Sequence, residues 1–291
     1  MSQPRSGRAR PGLASDAILP PNPAATLPRN RVGVLLREWR AARRVSQLGL
    51  ALEAGISPRH LSCVETGRAQ PSRDLLARLA EALGMPLRER NALLVAAGFA
   101  PRYSESPLGT PELARIRHAI ECILVQQEPF PAFVLDRHWN ILMANQAALR
   151  VNQSVLRGRP AAHGNMIRQF FDPDDLRAAV VNWEEVAGEL IRHLHSAVAA
   201  NPADEAGRAL LKEALAYPGV PPGWRTRSLD AAPKPLLTTV LRGEGRDRAF
   251  FSTITTFGTP RDVTLDELHI ECCFPSDEET AEWCRVLSGR S

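Results

Sequence analysis

The side chains best suited to chemistry lie in one stretch, from Ser57 to Ser72. Serine followed by proline marks a helix start. The Ser57 hydroxyl can cap it, and Pro58 fills a first position where no donor is needed. If Leu61 and Val64 point inward, Ser57, Pro58, Arg59, His60, Ser62, Cys63 and Thr66 face out. A guanidinium at Arg59 can bridge O6 and N7 of a guanine. Thr66, Arg68 and Ser72 suit phosphate oxygens. Pro58 has no backbone N–H and offers only apolar contact. This is groove-reading chemistry.

Bond-breaking chemistry finds less support. The chain has no GxSxG, no P-loop and no GxGxxG. His193 and His195 are two apart, so on a helix they do not share a face. The DPDD run at 172–175 lacks the rest of a calcium loop and reads as a helix start. The five cysteines form no CxxC and have no histidines at zinc spacing. The reading is a non-enzyme with no metal and no cofactor.

Charge is unevenly placed. Residues 1–100 carry 15 arginines against 7 acidic residues, net +8, while the remainder nets −4. A basic front suits a polyanion, and an acidic back suits a different task. No run of about 18 uncharged apolar residues exists, which excludes a membrane-spanning helix. The N-terminal stretch does not resemble a secretory signal, so a cytoplasmic protein with no membrane partner is expected.

The elements that must position these residues follow from periodicity. Residues 1–28 hold six prolines and no apolar period, and read as a disordered arm. Residues 29–99 read as five short helices. Ser46, Ser57 and Ser72 cap the second, third and fourth, and Gly55, Gly84 and Gly98 end the second, fourth and fifth. Leu48, Ala51 and Ile56 are expected to pack against Leu61 and Val64. Gly49, inside the second helix, should weaken it by about 1 kcal/mol. Residues 100–111, with three prolines, read as a short linker. In 112–291 a helix over 111–127 is followed by strands at AFVLD and NILMAN. Asn145 then caps a helix, and helical patterns cover 174–200 and 204–216. Three β-like runs, PLLTTVLR, AFFSTITTFG and ELHIECCF, precede a helix at 277–287. That order fits an α+β domain with an antiparallel sheet.

Residues 32–84 resemble the helix-turn-helix domain of XRE/Cro/C1-type regulators, through LLREWRAARRVSQ, ISPRHLSCVETGRAQPS and LLARLAEALG. The resemblance implies that Gln47 donates to a DNA phosphate and that Arg40 and Glu65 form a buried ion pair. AFVLDRHWNILMANQAAL is similar to the opening of a PAS-like sensor domain. Together with FFSTITTFGTPRDVTLDELHIECCFPSDEETA, these strings resemble the MmyB-like regulators over residues 30–287. That resemblance implies a sequence-specific, DNA-binding transcription regulator, expected to be a homodimer, with a fatty-acid-like ligand in its second domain. An acyl chain needs an apolar cavity, and Phe133, Trp139, Leu142, Trp183, Phe251 and Ile254 are candidates to line it. Phe251 and Ile254 point to opposite faces of one strand, and the sequence leaves open which face lines a pocket. A rival reading is a lipid- or small-molecule-binding module whose helical domain mediates protein contacts.

Overall fold

The computed structural model describes residues 30–226 and 236–289. The expected arm at 1–28 lies outside them. The first region is all helical: α1 (Arg31–Ala42), α2 (Gln47–Glu53), α3 (Pro58–Glu65), α4 (Arg73–Ala82) and α5 (Leu87–Ala96). Three expected serine caps form: the hydroxyls of Ser46, Ser57 and Ser72 accept the backbone N–H of Gly49, His60 and Leu75. Gly55, at φ 65°, makes the α2–α3 turn in a conformation that costs other residues energy. Leu36, Trp39, Leu50, Leu61 and Leu79 fill the core. Leu48 does not join them. With α2 starting at Gln47, Leu50, Ala51 and Ala54 point in and Leu48 stands exposed.

The second region begins with α6 (Ala114–Gln126), β1 (Ala132–Leu135), β2 (Ile141–Ala144) and α7 (Gln146–Val155). Then come α8 (Met166–Phe171), α9 (Trp183–Ala200) and α10 (Glu205–Ala214). β3 (Thr238–Gly243), β4 (Arg246–Thr256), α11 (Val263–Glu267), β5 (His269–Pro275) and α12 (Glu278–Leu287) complete it. The strands form one antiparallel sheet in the order β2-β1-β5-β4-β3. This is the α+β architecture that the strand–helix–strand pattern implied. One face buries Val134, Ile270 and Cys272 against Ile120 and Leu124 of α6. The other carries Phe133, Leu135, Phe250 and Leu241 toward α7, α8, α9 and α12. The expected helix over 174–200 is interrupted, because Val180 and Val181 bridge to β3 instead. α8 and α11 are too short for periodicity to reveal.

The segment between the regions is bound to both. Asn91 of α5 holds Tyr103 through its backbone N–H and carbonyl, and Ser104 bridges to Asp262. A clamp of charges closes the junction. Arg88 of α5 donates to Glu267 of α11 at 2.7 and 3.0 Å and also pairs with Glu105. Arg137, in the β1–β2 turn, reaches Glu267 at 3.1 Å, Asp204 at 3.7 Å and Glu89 of α5 at 3.8 Å. Asn201 donates to Glu89, and the Leu87 N–H donates to Asp266.

Burial alone would raise the Asp204 carboxyl, but His138, the Gly207 N–H and Arg137 hold it down to about 2. A depressed carboxyl stabilises the fold above its unfolded value of about 3.9, and that stability drains away as pH falls through the folded value. Asp204→Asn keeps a competent cap for α10 but loses the charge. We expect it to lower the thermal midpoint at pH 6, with the deficit shrinking between pH 4 and 2. A deficit independent of pH contradicts the assignment.

Candidate DNA interface and ligand cavity

The direction of α3 is set by its last residue. The buried Glu65 carboxylate accepts from Arg40 Nε at 2.9 Å and Nη2 at 3.3 Å, and from Gln47 Nε2 at 2.9 Å. Its backbone carbonyl takes Asn30 Nδ2 at 2.8 Å and the Arg37 guanidinium. α1 approaches this closely because residue 33 is glycine; a Cβ there would sit 2.1 Å from the Glu65 carbonyl oxygen. The expected Arg40–Glu65 pair is therefore present, and Gln47 belongs to it. Gln47 is half-buried and spends one donor on Glu65, which leaves its second N–H for the phosphate that the family resemblance implies.

The rest of α3 turns outward. Ser57, Pro58, Arg59 and His60 are exposed, as are Thr66, Arg68 and Ser72, while Ser62 and Cys63 are half-buried. The Thr66 hydroxyl donates back to the Ser62 carbonyl at 2.6 Å. The Ser57 and Ser72 oxygens accept from the backbone, which leaves each hydroxyl proton available to an anion. Two other arginines of this region are occupied. Arg43 donates to the carbonyls of Leu83 and Gly84 and lies over Trp39. Arg73 donates to Ala100 and lies over Phe99. Arg59 and Arg68 have no side-chain partner among the described residues, so their charge faces solvent.

The second region encloses a cavity of about 70 Å³ between the sheet and the helices above it. Phe133 of β1, Leu241 of β3, Phe250 and Ser252 of β4, and Glu271 and Cys273 of β5 form its floor. Met166, Gln169 and Phe170 of α8, with Val151 and Asn152 of α7, form its roof. The cavity lies on the Phe250–Ser252 face of the sheet, which resolves the choice that alternation left open.

Of the six expected lining residues, Phe133 reaches it. Phe251 points to the opposite face and stacks on Phe274 at 5.6 Å. Ile254 shares the cavity face, opposite Glu271, but stands exposed. Leu142 is exposed beside a separate groove. Trp183 donates to the Phe170 carbonyl and packs under Arg177. Trp139 sits in the core at φ 66°, edge-on to His193 and His269. Both imidazoles are held below their ordinary range by burial.

Glu271 is the polar residue that sequence reasoning passed over. Its Oε2 is buried with no hydrogen-bond partner. Burial pushes its carboxyl above the usual range, and the Ser252 hydroxyl offsets part of that. The signal was present as one acid within the apolar run HIECCF. It carried no weight while the cavity face was undetermined.

A helix-turn-helix reader clamped to a domain with an internal cavity defines a two-domain DNA-binding regulator. Residues 116–287 match the family described as MmyB-like transcription regulator ligand binding domain, and residues 31–93 match a helix-turn-helix domain. The chain belongs to the MmyB-like transcription regulators. Among solved structures it is similar to that of the clp gene regulator ClgR from Corynebacterium glutamicum. That likeness has 29% identity over 35% of this chain and 94% of that chain, with a TM-score of 0.22. An RNA-binding Light-Oxygen-Voltage receptor is 16% identical over 91% of this chain and 64% of that one, at a TM-score of 0.23. No curated protein matches. Among the described residues no helix is long and apolar enough to cross a membrane.

Two measurements test this geometry. Arg40→Met strands a buried carboxylate, and Arg40 is about one-fifth exposed. Urea unfolding should therefore show a loss of about 3 kcal/mol, at the lower end for a broken buried pair. Adding Glu65→Leu should recover most of that loss. An additive double variant contradicts the pair.

For Glu271, a carboxyl raised in the fold is destabilising once pH exceeds its unfolded value of about 4.3. Glu271→Gln removes that penalty. Its thermal midpoint should exceed the wild type's by a margin that widens from pH 4.5 to 8; a constant margin contradicts it.

Proposed function

We propose that this chain is a sequence-specific regulator that reads the major groove through the N-terminal half of α3 and senses a small apolar, fatty-acid-like ligand in its second domain. The observation that carries the reading is the exposed Ser57–His60 segment, with Arg59 unpaired on a helix whose other end is fixed by Glu65 and Arg68 unpaired in the turn that follows it. Arg59 is suited to a guanine edge, and His60, Ser62 and Cys63 lie along the same helix. Pro58 gives apolar contact. Ser57, Arg68 and Ser72 are suited to phosphates, Thr66 joins them once its hydroxyl turns from the Ser62 carbonyl, and Gln47 orients Glu65 and keeps one N–H for a phosphate. The working form is a homodimer on DNA in the cytoplasm. One such module buries only about 600–1,000 Å² of protein surface on DNA, and two readers about 34 Å apart fit successive turns.

The cavity and the reader are joined by β5. Glu271 lines the cavity, His269 touches Trp139 in the β1–β2 turn, and Glu267, just before the strand, grips Arg88 of α5. A ligand that binds two positions of β5 unequally shifts the clamp and so the placement of α3. The cavity's volume is below the ~300–1,000 Å³ of ordinary ligand pockets. An acyl chain therefore has to displace the flexible Met166 and the rings of Phe133 or Phe170.

Selection from a random DNA library, then titration, tests the reader. Arg59→Ala should cost about 1–3 kcal/mol on the selected site and relax preference at one guanine. Arg68→Ala should weaken all sequences alike and lower the salt slope by about 1. Equal affinity of the wild type for every duplex overturns this in favour of a lipid-binding module with protein contacts. Arg88→Met should leave DNA binding and ligand binding intact while abolishing the effect of one on the other. Undiminished coupling rules out the Arg88–Glu267 contact as the route.

A further inference from the structure

The cavity's polar lining says what kind of head group it accepts. Among its described lining residues there is no Arg, Lys or His. Its titratable groups are Glu271 and Cys273, both on β5. The Cys273 thiol is pushed far above its usual range, chiefly by burial, and stays uncharged. Arg248, the cation buried on the same face of β4, pairs with Glu279 at 3.0 Å and lies over the Trp283 ring; its Nε is without a partner, but the residue does not line the cavity. His269, two residues before Glu271, faces Trp139. Above the carboxyl lie Met166, Gln169 and Phe170 of α8, none of them charged. A bound carboxylate would meet a carboxyl and no cation, in surroundings where an unpaired charge costs several kcal/mol.

A carboxyl kept neutral has an O–H to donate as well as an oxygen to accept. Glu271 Oε2 is buried without a partner, and such an atom is stabilised by any group that completes its hydrogen bond. The Ser252 hydroxyl lies alongside. The cavity has room for about five water-sized groups, enough for a head and the first carbons of a chain.

We propose that this cavity takes an uncharged amphiphile, an aliphatic chain bearing an alcohol, carbonyl or protonated-acid head, and that Glu271 is the residue that hydrogen-bonds the head. The inference rests on the reading of this cavity as the ligand site, and sharpens it: a fatty acid enters as the neutral acid.

The test uses the full chain labelled at the methionine methyls. Four methionines keep the spectrum simple, and Met166 reports on the cavity. 1-Octanol, octanoate, octylamine and benzene are titrated separately. Octanol should shift Met166 with an affinity that is flat from pH 6 to 8. Octanoate should weaken about tenfold per pH unit over that range. Glu271→Ala should weaken octanol at least fivefold and leave benzene unchanged, and Glu271→Gln should stay within about threefold of the wild type. Octanoate binding that ignores pH, or octylamine outcompeting octanol, overturns the uncharged head while leaving the cavity as a ligand site. Equal losses for octanol and benzene in Glu271→Ala reduce Glu271 to a packing role and overturn the proposal. If no probe moves Met166, the ligand reading of the cavity falls, and this inference with it.

Discussion

A single buried carboxylate orients the surface that we propose meets DNA. Glu65 closes α3 and is held by Arg40 and Gln47 through its side chain, and by Asn30 and Arg37 through its carbonyl. Those partners come from α1, from the residue before it and from the start of α2. They fix the C-terminal end of α3 against the core while Ser57 to His60 project from the other end. A carboxylate in that position is costly unless every lone pair is met. The cost is what makes the arrangement specific: a rotated α3 would leave the charge unpaired. Gly33 completes the constraint, since any side chain there would collide with the same carbonyl.

A second constraint links this rigid reader to the sheet. The β1–β2 turn places successive residues to opposite ends of one path. Arg137 and His138 enter the charge clamp, and Trp139 enters the core against His269. Asp136 shapes the turn by accepting from the N–H groups of His138 and Asn140. The chain passes from the clamp to the cavity floor within five residues, from Glu267 at the end of α11 to Glu271 in β5. The interdomain segment is itself pinned by Asn91 and Asp262.

Much of this was legible in the residues. The serine caps, the Gly55 turn, the helix over 278–287 and the five strands follow from local rules that act within a few residues. The Arg40–Glu65 pair was legible through family resemblance, because nothing in local spacing brings residues 25 apart together. The bond from Gln47 to Glu65 was not legible, since sequence gives no view of a third partner at a buried carboxylate. The cavity was the least legible part. Its lining depends on which face of β4 meets the helices and on the register that sets Glu271 opposite Phe133 and Ile254. Both are tertiary properties. Aromatic size alone pointed to Trp139, Trp183 and Phe251, which serve the core and the far face. The clamp was invisible for the same reason: its members lie at 88, 137, 204 and 267, each an ordinary surface charge when read alone.

The claim that α3 enters the groove is tested most directly by site-specific photocrosslinking on a selected duplex. A crosslinker at position 59 is compared with one at position 95, exposed on α5. The account predicts crosslinks from position 59 to bases at a fixed place in each half-site, and none from position 95. Crosslinks from position 95 with none from position 59 would contradict it.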